Sequence, residues 1–90
     1  MVVTNAHRTT AIVIRHDGHR VSLVPMKSGR LATRHLERER FEAEWREMDY
    51  DLPHALAVFL DHARTRGATQ EALKGLEKLA ERDRWEASLF

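Results

Sequence analysis

Thr9-Thr10-Ala11-Ile12-Val13-Ile14-Arg15-His16-Asp17-Gly18-His19-Arg20-Val21-Ser22-Leu23-Val24-Pro25-Met26 is the stretch on which the fold turns. Two runs rich in β-branched residues flank Asp17-Gly18, and Asp-Gly between such runs is a strong signal for a two-residue hairpin turn. Closing the turn there sets His16 opposite His19, Arg15 opposite Arg20, Ile14 opposite Val21 and Ile12 opposite Leu23. In that register one face is apolar (Ile12, Ile14, Val21, Leu23). The other sets two arginines directly across from each other, a destabilising arrangement that an anionic partner would offset.

Pro25 has no N–H to give a ladder, so the pairing is expected to stop near Ala11 and Val24. Lys27-Ser28-Gly29 then suits a three-residue loop. A third strand over roughly 30–35 follows, pairing Arg30 with Met26 and Arg34 with Ser22. That register would place Arg30 and Arg34 beside Arg15 and Arg20. The competing reading caps a helix at Thr33. Residues 1–8 show no periodicity and are expected to be frayed, leaving 9–90 as one small domain.

From Leu36 the apolar spacing changes to that of a helix. Phe41, Trp45 and Met48 fall at i, i+4 and i+7 among many glutamates and arginines, with Glu42 and Arg46 as an i, i+4 pair. A second helix is expected over 53–66, with Pro53 in its first turn, Leu56, Phe59, Leu60 and Ala63 on its buried side, and Gly67 as its stop. Thr69 caps a third, whose apolar face is Leu73, Leu76, Leu79 and Ala80. Gly75 inside that helix costs ~1 kcal/mol relative to alanine, which implies a close backbone approach. Together these predict an α+β fold: an N-terminal antiparallel hairpin or three-stranded meander, then three α-helices packed on one face. The expected core is Ile12, Ile14, Val21, Leu23, Phe41, Trp45, Leu56, Phe59, Leu60, Leu73 and Leu76.

Ninety residues without cysteine have neither disulfides nor thiolate metal sites to draw on. No leader-like segment or membrane-length apolar run occurs, so a cytoplasmic protein is expected. Twelve arginines against three lysines, with abundant alanine, suggest a GC-rich bacterial genome. The net charge of +1 conceals an asymmetry. Residues 1–35 hold six basic side chains and one acid, a net of +5, whereas residues 36–90 carry −4. Such a split points to a polyanionic partner, or else to attraction between the two halves.

Four sets of residues are candidates for function. Arg15, Arg20, Arg30 and Arg34 form a prospective nucleic-acid or anion surface. His16 and His19 could share a metal only with further ligands from His7, His35 or Asp17; no metal or other cofactor is expected. Trp85, Leu89 and Phe90 put three large apolar residues in the last six positions, fit for the protein's own core, a homodimer or another partner. Residues 59–76, with Ala63, Gly67, Leu73 and Leu76, resemble the DNA-binding helix-turn-helix motif in spacing. His62 and Arg66 stand where that motif buries apolar side chains, and a plain αα-hairpin explains the same residues. No nucleophile elbow, Gly-rich phosphate loop or separated acid–base pair appears, so neither catalysis nor a small-molecule substrate is expected. The expected function is a small non-enzymatic bacterial nucleic-acid-binding or regulatory accessory protein. The alternative is an interaction module (adaptor, inhibitor or antitoxin-like) for an acidic protein or other partner, using the apolar C-terminus, the acidic helix or an exposed edge strand.

Overall fold

A computed structural model describes residues 1–88, with side chains to Arg82. Eight elements follow in order: β1 (Val2–Asn5), β2 (Thr10–His16), β3 (Arg20–Pro25), β4 (Arg34–Glu37), α1 (Arg38–Glu44), β5 (Trp45–Glu47), α2 (Leu52–Arg66) and α3 (Gln70–Ser88). The α+β class holds. The strands form one antiparallel sheet in the order β4-β3-β2-β1-β5, curled into a half-barrel. α1 carries the chain from one sheet edge to the other, so β5 can pair with β1.

Residues 1–8 are not frayed as a whole. Val2 and Val3 are buried, because β1 is hydrogen-bonded to β2 on one side and β5 on the other. Alternation divides the pair: Val2 faces Ile12 across the ladder and Val3 faces Ala11. A strand paired on both sides and buried on both faces reads as a continuous apolar run. Ala11-Ile12-Val13 has that character, and all three are buried.

The sheet therefore separates two cores rather than supporting one. Val2, Ile12, Val24 and Leu31 pack with Ala55, Leu56, Phe59 and Ala63 of α2 and Ala72 and Leu76 of α3. On the opposite face Val3, Ala11, Val13, Val21, Leu23 and Leu36 pack with Phe41 of α1 and Trp45 of β5. The three helices thus do not share one face. Val21 and Leu23, expected beside Ile12 and Ile14, lie on the other side of the sheet. Ile14, Leu60 and Leu73 are partly buried, at the margin of the first core.

The helix expected from Leu36 is shorter than its stripe implies. Leu36 and Glu37 belong to β4, and Trp45 begins β5. Trp45 reaches the core by strand alternation, pairing with Asn5 on the face of Val3. With Arg46 in a strand, the expected Glu42–Arg46 pair is replaced by Arg38–Glu42 and Arg40–Glu44, both Nε–Oε1 at 3.0 Å.

The last two helices match the expectation. Pro53 lies in the first turn of α2, and Gly67 ends it at φ 90°. Thr69 Oγ1 accepts the Ala72 N–H at 3.2 Å, capping α3. Among the described residues, no helix is long and apolar enough to cross a membrane.

Candidate functional site: the exposed basic surface

The hairpin closes differently from the Asp-Gly expectation. Asp17 N–H donates to the Arg20 carbonyl at 3.0 Å, so Asp17 and Arg20 are the closing residues and Gly18-His19 is the loop. Asp17 Oδ1 accepts the N–H groups of His19 (3.0 Å) and Arg20 (2.8 Å). These two donors, His19 first, hold the Asp17 carboxyl below its usual range, because they favour the charged acceptor. Gly67 is the only glycine with positive φ, so Gly18 does not supply the left-handed conformation of a primed turn.

A bulge follows. Pairing runs His16↔Val21 and Arg15↔Ser22, then shifts by one to Val13↔Leu23, leaving Ile14 as the extra residue. Such an insertion turns neighbouring side chains onto a new face. Ile14 thereby meets Gly75 of α3, and Arg15 shares the side of Ser22. Arg15 and Arg20 are diagonal neighbours on the side of α2 and α3, not a facing pair. Arg15 stands opposite a serine, and Arg20 stands opposite Glu37. The like-charge clash is avoided in this register, as is the two-guanidinium fork.

The other two predicted arginines part company. A third strand exists, but over Arg34–Glu37 and one residue out of the expected register, with Arg34 opposite Leu23. A one-residue slip exchanges the faces of a strand. Arg34 therefore emerges on the side of the α1 core. Arg30 precedes the strand in a loop, and its Cγ lies 3.7 Å from a Cβ built on Gly67. Thr33 caps no helix. His16 and His19 do not face each other: His16 packs edge-on to Phe41, with ring centroids 6.4 Å apart. Among the described residues, no group of three or more His, Cys, Asp and Glu could hold a metal ion.

Beside Arg15 a polar chain ties the sheet to α3. Ser22 Oγ lies 2.8 Å from His35 Nδ1, and His35 Nε2 lies 3.1 Å from Glu71 Oε1. In the neutral ring, Nε2–H donates to the carboxylate and Nδ1 accepts from the serine hydroxyl. Glu71 and the capping Thr69 are thus engaged internally. His62 Nε2 lies 2.9 Å from the Gly29 carbonyl. α2 and α3 form an αα-hairpin on the sheet, and two of the side chains a recognition helix would present at its start, Thr69 and Glu71, are already in use.

The charge accounting separates the two readings of the asymmetry. Arg38 and Arg40 of α1 pair with acids of that same helix. Across the halves the only bridge within 4.0 Å among the described residues is His35–Glu71. Among the described residues Arg8, Arg15, Arg20, Lys27, Arg30 and Arg34 make no ion pair, and all but Lys27, Arg30 and Arg34 lie in or beside the turns of the first three strands. Each is exposed.

Concave surfaces are also present. A groove of about 610 Å³ between the hairpin tip and α1 is lined by His19, Arg20, Glu37, Arg38, Glu39 and Glu42, which makes it mixed in charge. A smaller apolar pocket of about 230 Å³ lies among Met26, Met48, Tyr50 and Val58. The free sheet edges, β4 and β5, are four and three residues long and carry charged side chains, which discourages strand addition. Leu89, Phe90 and the side chain of Trp85 lie outside the described residues. Protein-family models, curated proteins and solved structures yield no match to this chain.

Proposed function

We propose that this is a non-enzymatic nucleic-acid-binding accessory protein that holds the phosphate backbone through the exposed basic side chains of its N-terminal half. The observation carrying this reading is that, among the described residues, Arg8, Arg15, Arg20, Lys27 and Arg30 have no carboxylate within 4.0 Å, while α1 pairs its own arginines. Exposed guanidinium groups without protein counter-ions are suited to phosphate oxygens, which they bind bidentately. Contacts of this kind give affinity and salt dependence rather than base selectivity. The regulatory role would then come from occupancy, not from sequence readout by a recognition helix.

The test is binding of a labelled mixed-sequence duplex across a salt series. Arg15→Ala/Arg20→Ala removes two contacts, so the slope of log K against log salt should flatten by about 2. Arg38→Ala/Arg40→Ala removes equal charge from side chains already paired within α1, and should leave the slope near wild type. Failure of the wild-type protein to bind any duplex at about 50 mM salt, where non-specific phosphate binding is strong, would overturn the proposal.

A further inference from the structure

Leu60 and Leu73, whose spacing predicts burial, are only partly buried, and so is Ala80. Pro53, Ala57, Leu60 and Arg64 fall at i, i+4, i+7 and i+11 of α2, one stripe of that helix. Leu73, Glu77, Ala80 and Glu81 make the facing stripe of α3. These stripes border a groove between the two helices, floored by the buried Leu56. It opens as two hollows, of about 430 and 380 Å³, that share Leu60, Arg64 and Ala80. Among the described residues, all those lining it belong to α2 or α3 and none to the sheet.

We infer that this groove docks a cationic amphipathic helix of another protein, which lays its apolar stripe on Leu60, Leu73 and Ala80 and its basic side chains against the rim. The rim carries three carboxylates, Asp61, Glu77 and Glu81, against one cation, Arg64, a net of −2. Among the described residues none of the three makes an ion pair within 4.0 Å, so their charge is open to a partner. An amphipathic helix entering a groove buries apolar residues at i, i+3, i+4 and i+7, while charged neighbours settle which helix is accepted. From Pro53 to Arg64 the groove runs about 17 Å along α2, which matches roughly three turns of such a helix.

The sign of the rim decides among occupants. Nucleic acid or an anionic membrane would meet carboxylates here, and like charges in contact disfavour both. A second copy laid groove to groove would set one net charge of −2 against another. Residues 83–90 of a second copy hold two acids, Asp83 and Glu86, and one base, Arg84, so they too bring negative charge. A basic helix has the sign that the groove lacks. This inference goes beyond the nucleic-acid reading and does not rest on it, because Arg15 and Arg20 line neither hollow.

The experiment follows the anisotropy of two labelled model helices of about three turns that share one leucine stripe, flanked by lysine in one and by glutamate in the other. Wild type should bind the lysine helix about tenfold more tightly than the glutamate helix, and added salt should narrow the gap. Glu77→Lys/Glu81→Lys changes the rim from −2 to +2 and should reverse the preference. Ala57→Arg replaces an exposed residue with a long basic one inside the groove, and should abolish binding of the lysine helix while circular dichroism verifies the fold. Arg15→Ala/Arg20→Ala should bind the lysine helix as wild type does, so this inference and the nucleic-acid reading fail separately. No binding of the lysine helix by wild type, equal binding of both helices, or undiminished binding by Ala57→Arg overturns the groove. A doubled mass in sedimentation that Ala57→Arg returns to that of one chain gives the groove to a second copy and overturns the separate partner.

Discussion

Ile14 of β2 occupies the space that a side chain at position 75 of α3 would need. A Cβ built on Gly75 would lie 2.5 Å from Ile14 Cδ1, 3.0 Å from its Cβ and 3.2 Å from its Cγ1. The first contact can be relieved by turning the end of the isoleucine. The other two involve atoms next to the backbone, so the strand itself must back away.

Gly75→Ala therefore sets a gain against a loss. Helix propensity favours alanine by about 1 kcal/mol. Overpacking costs typically 1–3 kcal/mol, and here it also opposes the bulge that seats Ile14. Net destabilisation of about 1 kcal/mol is expected in urea unfolding. Ile14→Ala should reverse the sign of the Gly75→Ala effect, because it removes two of the three contacting atoms. A double-mutant cycle measures the coupling directly.

Ser22 and His35 make a second, asymmetric pair. The serine is buried at 7% exposure, whereas the histidine is half-exposed and can turn to water. His35→Ala leaves a buried hydroxyl unpaired and should cost about 1–3 kcal/mol. Ser22→Ala should cost less, about 1 kcal/mol or under, since the ring nitrogen can be hydrated. Adding Ser22→Ala to His35→Ala should then recover stability. The exposed Glu71 contact should contribute no more than about 1 kcal/mol, and less at high salt.

Asp17 gives the hairpin an acid limit. Its folded-state pKa is depressed by the His19 and Arg20 N–H groups, so the unfolded chain binds its proton first as pH falls. The stabilisation is complete above the ordinary aspartate value of about 3.9 and is lost as pH drops through the lower folded value. Asp17→Ala should remove this dependence, while Asp17→Asn should keep part of the turn's hydrogen bonding without the titration. The stability difference between wild type and Asp17→Ala, followed from neutral to acid pH, should be constant at first and then shrink. A difference that grows on acidification would contradict the assignment.

Local signals carried the two long helices. Pro53, Gly67 and Thr69 act on their immediate neighbours, and the apolar stripes of α2 and α3 repeat over several turns. The same spacing misled at Phe41 and Trp45, where a helix of seven residues runs straight into a strand of three. Three residues are too few to display alternation. β1 was hidden for a related reason: Val2 and Val3 form a strand because β2 and β5 flank them, and β5 lies some forty residues away.

The candidate site was legible as composition and illegible as geometry. A charge excess in residues 1–35 is plain from the sequence. Its arrangement depended on one extra residue at Ile14 and one register step at Arg34, neither of which leaves a periodic trace. Nothing near Gly67 in sequence reveals that Leu31 would bond to Gly67 and Thr69.

The alternation of Val2 and Val3 has a thermodynamic result. Neighbouring residues of one four-residue strand line opposite sides of the sheet, and β2 and β3 do the same along their lengths. Each core is half built from the backbone of the other, like two rooms sharing a wall. Loosening either should release strands that the other requires, so heat or denaturant should dissolve both in one cooperative transition rather than in two steps.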